Sequence, residues 1–322
     1  MSVSVMKRLY KNLALMSLAL FVLVLSSCSG SDYLNAIPKK STALISVDLQ
    51  QMASDKNAED KAGMLKSLLH VDDVDKCGID ISEKLYLFES ADGNLGLCAK
   101  VSDEGDVEDW LASLAKKRIA SEVKERKGFH FAVLKDSWLV GFSGQALLVM
   151  GPVVADAQAQ LQQQMVKYLK AEEEDGITVS PMFERLQTIS SPMAMVAQAQ
   201  ALPEKFVAPF TLGAPKDTDP SQVVIAADME VKDGILQIQG ETFSFNETID
   251  KELQKAAQNY RPIKGSYVKS MPDDALAGIF MNVNGEQFLP MMQSNRSLQT
   301  LLMGINQAVD MDNIMRSVDG DM

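Results

Sequence analysis

The feature that most limits what this chain can become is a pair of alternating runs hinged on Asp233-Gly234. In Val223–Lys232, Ile225, Ala227, Met229 and Val231 alternate with Ala226, Asp228, Glu230 and Lys232. A period of two sends the two sets to opposite faces of a pleated strand. Ile235–Phe245 returns with Gln237, Gln239 and Glu241 on one side. Asp-Gly supplies the positive φ of a tight hairpin turn, so the segment reads as an antiparallel hairpin. After Gly240 the apolar positions shift parity to Phe243 and Phe245, which predicts a bulge at the glycine.

The same grammar recurs along the chain. Thr42–Leu49 reads as a strand, and about 50–69 as a helix whose apolar face carries Met64, Leu65, Leu68 and Leu69. Lys84–Glu89 and Leu95–Val101 flank Asp92-Gly93 as a second hairpin. Asp106 is the expected cap of a helix with Val107, Trp110, Leu111 and Leu114 on one stripe. Short strands are expected near 119–125, 129–134, 137–142, 147–150 and 193–199. Helices are expected over 153–171 and 181–189, and over 247–259 with Asn246 as cap. Residues 201–220 carry Pro203, Pro209, Pro215 and Pro220 and read as a short helix plus loop or a surface excursion. Hairpins and helices without a βαβ rhythm predict an α+β fold: a mainly antiparallel sheet with helices packed on one face.

Residues 1–30 stand apart from this pattern. Lys7, Arg8 and Lys11 form a positive start, and an apolar run from Leu13 to Leu25 follows, broken only by Ser17. That run fits a signal-peptide core and falls short of the roughly 20 residues of a spanning helix. It ends in Leu25-Ser26-Ser27-Cys28, which resembles the bacterial lipobox. The resemblance implies cleavage before Cys28, a diacylglycerol on its thiol and an N-acyl lipid on its amine. The chain thus reads as signal peptide over 1–27, lipidated Cys and tether over 28–37, and main domain over 38–265. A partial second unit, apparently truncated, covers 266–322. Removing residues 1–27 takes three positive charges and no negative ones from a 322-residue chain of net charge −12, leaving 295 residues at −15. Such an acidic chain has no use for nucleic acid, whose phosphates need Lys and Arg. With 46% hydrophobic and 23% charged residues, disordered, collagen-like and polytopic membrane classes are also excluded. Ser29 is not the Asp of an inner-membrane retention signal, and Asp32 stands alone where a surface-export signal clusters acids. The expected place is the outer membrane of a bacterial envelope, on its periplasmic face or its surface.

The second unit is read from a repeat. Pro38 to Asp48 and Pro272 to Asn282 share a proline, polar residues, a strand and a closing Asp or Asn, at an offset of 234. Asp319-Gly320 reads as a turn with no strand to follow, hence the appearance of truncation. The lipobox, "DYLNAIPKKSTALISVDL", "CGIDISEKLYLF", "GLCAKVSDEGDVEDWL" and "DSWLVGFSGQALLVMG", in that order, resemble Bacteroides-type lipoproteins of domain-of-unknown-function family 4836. The resemblance covers roughly residues 28–320. It implies an exported, lipid-anchored α+β protein and carries no catalytic residue or cofactor with it.

The search for chemistry is short. Cys77 and Cys98 could form a disulfide in an oxidising compartment, although Cys98 sits in an apolar run and the hairpin places it opposite about residue 87. Asp73-Val-Asp75-Lys-Cys77-Gly78 imitates an EF-hand start, but the fifth and twelfth positions hold Cys77 and Lys84. A weak calcium site of Asp72, Asp73, Asp75 and Asp80 stays open beside the reading of a solvated acidic loop. The two histidines are His70, at a helix end, and His130, whose alternating Phe129-His130-Phe131 context points it to solvent. Gly141-Phe142-Ser143-Gly144 lacks the spacing of a nucleophile elbow. Trp110 and Trp138 lie in apolar patterns, unlike a sugar-stacking platform. The leading expectation is a non-enzymatic envelope protein, held to the membrane by lipid, that binds a partner protein or stabilises an assembly. The alternatives are a lipoprotein that binds a small molecule, peptide or glycan, with residues 201–220 lining the site, and a carboxylate-based hydrolase.

Overall fold

A computed structural model describes residues 30–54, 66, 73–203, 207–208, 210–232, 235–265 and 281–321. Ten strands form one sheet: β1 Ala43–Val47, β2 Leu85–Glu89, β3 Leu95–Lys100, β4 Lys124–Arg126 and β5 Phe129–Leu134, with β6 Trp138–Phe142, β7 Ala146–Gly151, β8 Met193–Gln198, β9 Val224–Lys232 and β10 Ile235–Phe243. Their order is β10-β9-β8-β1-β2-β3-β7-β6-β5-β4. Every neighbouring pair is antiparallel. The fold is therefore α+β around a large antiparallel sheet, as the hairpin pattern requires.

Helix α1 (Leu49–Ser54) follows β1. Most of the expected helix over 50–69 lies outside the described residues, as do residues 1–29, His70, Asp72 and Pro272. Helix α2 spans Glu104–Lys116, and its stripe of Val107, Trp110, Leu111 and Leu114 is buried. The cap is Asp103 rather than Asp106: its side chain accepts a bond from the Asp106 N–H. The capping carboxylate has to stand before the first turn, and Asp106 is already inside it. Helices α3 (Gln158–Leu169) and α4 (Pro181–Gln187) follow β7. Ser180 caps α4 and Pro181 occupies its first turn, where a missing N–H costs nothing. Helix α5 (Glu247–Ala257) is capped by Asn246, which accepts from the Thr248 and Ile249 amides.

The sheet has two unlike faces. On the first, a 3-10 turn over Asp32–Ala36, α3 and α4 bury Leu44, Phe88, Cys98, Leu148, Met150, Met165 and Leu186 in one cluster. On the second, α2 covers the β5–β7 end, enclosing Val140, Phe142 and Leu147 with Cys77 and Val101. Alternate residues of one strand feed both clusters: Leu148 and Met150 the first, Leu147 and Val149 the second.

The hairpin of β9 and β10 keeps an unbroken register through Gly240, which pairs Ala227, so the expected bulge is absent. The glycine serves close approach instead. A Cβ at Gly240 would stand 2.6 Å from the Ala226 carbonyl oxygen and 2.9 Å from the Ala227 Cβ. The parity shift at Phe243 has another cause: that face of β10 comes over α4, and Phe243 packs on the first cluster while Arg185 lies over its ring.

The C-terminal unit is separate. β11 (Asn282–Asn284), α6 (Gly285–Ser294), α7 (Arg296–Asn306), α8 (Met311–Arg316) and β12 (Asp319–Asp321) enclose Val283, Phe288, Leu289, Leu302 and Met315. β11 pairs β12 antiparallel, as β1 pairs β2. Asp319-Gly320 is thus part of a strand and not the expected turn. The Asp321 carboxylate holds this end to the main domain by accepting the Lys264 and Gly265 amides, and within the unit it accepts the Asn282 side-chain amide.

Candidate functional site

The centre of the second sheet face is the candidate. One residue from each of five adjacent strands stands in a transverse row: Met195 beside Ile45, Ile45 beside Leu87, Leu87 beside Leu97, and Leu97 beside Val149. The row follows from register alone, since residues directly opposite in antiparallel strands share a face. Helix α2 reaches the β5–β7 end of this face, and the row runs beyond it toward β8. Leu87 is 40% exposed and Leu95 50%, in the middle of a ten-stranded sheet. Together with Ala43, Ile45, Leu97, Val149 and Trp138 they line a groove of about 450 Å³. Glu89 sets one rim, its carboxylate accepting from the Thr42 hydroxyl at 2.7 Å.

The signal for this site was available in the residues Leu85-Tyr86-Leu87-Phe88. Apolar side chains at both parities mark a strand with two apolar faces. Tyr86 and Phe88 are 3% exposed, so one parity is sealed while Leu87 of the other is open. An exposed apolar groove of this kind is suited to docking an apolar segment.

A second depression lies where the proline-rich excursion meets the C-terminal unit. It measures about 510 Å³ and is lined by Val207, Thr211, Pro215, Lys216, Asp219 and Asn295, among others. The Asn295 side-chain amide donates to the Thr211 hydroxyl at 3.1 Å, tying α6 to the excursion. Asp219 accepts from the Ser221 amide, and its carboxyl is held below the usual range by the hydrogen bonds of Ser221.

The residues singled out by sequence are dispersed. Cys77 and Cys98 are both buried and no disulfide joins them. The reason is topological: Cys98 belongs to the cluster on the first face and Cys77 to the cluster on the second, with the sheet between them. Cys98 Sγ donates instead to the Tyr33 carbonyl at 3.4 Å, and burial pushes its thiol far above the ordinary range. Of the calcium candidates, Asp72 lies outside the described residues and Asp73 is exposed beside the turn that contains Asp75. Asp80 is committed elsewhere. Its carboxylate accepts from the Ser82 hydroxyl at 2.5 Å and meets Lys100 at 3.1 Å. The Ser82 bond first, and then Lys100, hold its carboxyl below the usual carboxylate range. Among the described residues, no group of three His, Cys, Asp or Glu is placed to hold a metal ion.

His130 does not point to open solvent. Its ring faces Phe142 with centroids 5.2 Å apart and lies 4.0 Å from Glu104 and 3.9 Å from Glu108 on α2. At this end of the sheet both faces carry helices, so the side opposite Phe129 and Phe131 is α2 rather than water. The two carboxylates occupy the first turns of α2, where the helix dipole favours negative charge. Ser143 closes its own turn by accepting from the Gln145 and Ala146 amides. Trp110 is 8% exposed inside the second cluster, consistent with packing rather than stacking on a sugar.

Among the described residues, no helix is long and apolar enough to cross a membrane. No curated protein matches the sequence. Two solved structures align with part of the chain. "Structure of crystal form IV of TP0453" aligns at TM-score 0.39 and 10% identity, over 66% of this chain and 81% of that one. "Structure of crystal form III of TP0453" aligns at TM-score 0.36 and 10% identity, over 66% and 80%. The family model described as "Domain of unknown function (DUF4836)" matches residues 33–322.

Proposed function

Since this chain belongs to the DUF4836 family, we propose that it is a non-enzymatic docking protein of the bacterial cell envelope, carried on a lipid at Cys28. The observation that carries the docking reading is the open transverse row of Ile45, Leu87 and Leu97 with Leu95 beside it. Its chemistry selects an apolar strip on a partner protein, and Glu89 gives the rim one negative group. A sheet face is a rigid platform, so little ordering entropy opposes binding. The anchoring reading rests on the sequence: the positive start, the 13-residue apolar run Leu13–Leu25 and the Leu25-Ser26-Ser27-Cys28 resemblance to a lipobox. Several acyl chains on one residue give stable attachment, at roughly 0.8 kcal/mol per buried methylene. In this reading the protein is a Bacteroides-type lipoprotein of the outer membrane.

The test is a crosslinking pull-down from solubilised membranes with the wild type and Leu87→Lys. A stoichiometric partner recovered by the wild type and lost by the variant, with an unchanged melting curve, supports docking. Failure to recover any partner overturns it. Incorporation of labelled palmitate, abolished in Cys28→Ala, tests the anchor separately.

The cleft of Thr211, Asp219 and Asn295 supports a second reading, a ligand site for a small molecule, peptide or glycan. A ligand that binds the folded state raises the melting temperature by mass action. A thermal-shift screen over those classes, calcium included, therefore separates it from docking; no shift with any of them sinks it.

A further inference from the structure

The two edges of the sheet are built differently. β4, at one edge, has three residues, Lys124-Glu125-Arg126, all exposed and all charged. Short length and charge are the standard protection of a strand edge. β10, at the other edge, has nine residues and one formal charge, Glu241. That charge is already answered, because Arg185 donates to its carboxylate at 2.6 Å. Residues 237–241 are exposed, and Ile238 is 60% exposed. An antiparallel edge turns the N–H and C=O of every second residue outward, and among the described residues no strand pairs this side of β10.

We propose that β10 pairs with β10 of a second copy of this chain, joining two sheets across a two-fold axis at Gln239. The register is self-complementary. It sets Gln239 opposite Gln239, Gln237 opposite Glu241, and Ile238 opposite Gly240. No carboxylate faces another. Gly240 has no side chain to oppose it, so the exposed Ile238 of the other copy can lie over the Gly240 backbone, twice by symmetry. An isologous contact of this kind closes at two copies. A chain of net charge −12 repels itself in general, so a near-neutral edge is the place where two copies can meet. The pairing is independent of the groove on the second face: either can fail without the other.

The experiment uses the full chain in membranes. Gln239→Cys is oxidised mildly and compared with Glu125→Cys on the β4 edge. Opposed Cα atoms of an antiparallel pair, about 4.5–5.5 Å apart, lie within disulfide reach. The expected result is a disulfide-linked dimer from Gln239→Cys and none from Glu125→Cys. Adding Ile238→Lys to Gln239→Cys should reduce the dimer yield about tenfold or more, with the melting curve confirming that the variant folds. Monomer from both single variants, equal dimer from both, or indifference to Ile238→Lys overturns the proposal. A band containing a different protein also overturns it and reassigns the edge to a foreign strand.

Discussion

From β8 across β1, β2, β3 and β7 to β6, the first face of the sheet is sealed and the second is half open, although the same strands build both. Leu148 and Met150 are fully buried beneath the Asp32–Ala36 turn and α3, whereas Leu87 and Leu95, on strands of the same sheet, are 40% and 50% exposed. Sealing stabilises the fold. Leaving apolar side chains open in the middle of a sheet does not, which is why we assign the open face to recognition.

The sharpest way to test this contrast is a pair of truncations. Leu148→Ala removes a fully buried side chain from the sealed face and should cost about 2–5 kcal/mol in urea unfolding. Overfilling the same face comes next. A Cβ at Gly96 would fall 2.2 Å from the Phe88 ring, so Gly96→Ala should cost about 1–3 kcal/mol. Phe88→Leu in the same chain should recover part of that loss. By contrast, Leu87→Ser should change stability by less than about 1 kcal/mol. A loss as large as that of Leu148→Ala would show that the open face is covered in solution, and the contrast would collapse.

The smallest effect concerns charge. The Asp80 carboxyl is held below its usual range by Ser82 and Lys100. Its ion pair therefore contributes stability that is complete above the unfolded carboxylate range, near pH 4, and is lost as pH falls through the lower folded value. Asp80→Asn should flatten the acid limb of the unfolding midpoint against pH, by lowering stability slightly at pH 7 and leaving it unchanged at the acid end. The pair sits at the surface and is partly open to water, with Lys100 27% and Asp80 24% exposed, so solvent screening keeps the effect small.

What was readable in the sequence follows from what is local. Asp92-Gly93 and Asp233-Gly234 located both hairpins, because a tight turn fixes the register of its own strands. The stripe Val107, Trp110, Leu111, Leu114 located the buried side of α2. Sequence and structure part where distant chain decides the outcome. Phe129-His130-Phe131 predicts a solvent-facing ring, because nothing in it reveals that α2 covers the other face. The parity shift at Gly240 predicts a bulge, because parity shows which side is apolar but not where α4 begins to cover it. The groove depends on β1, β2, β3 and β7 standing side by side, an order no local pattern contains.

That order also dictates how the chain can fold. β1 is made before the other nine strands of this sheet, yet it occupies the interior, with Ala43 facing Glu89 on one side and Ala197 on the other. Its second neighbour, β8, is made only after β2 to β7. Until then one long side of β1 has no hydrogen-bonding partner. Closure across so long a loop makes for high contact order and slow folding. A newly made chain thus spends its early life with a sticky central strand half finished, the condition in which a holding chaperone protects a protein from aggregation.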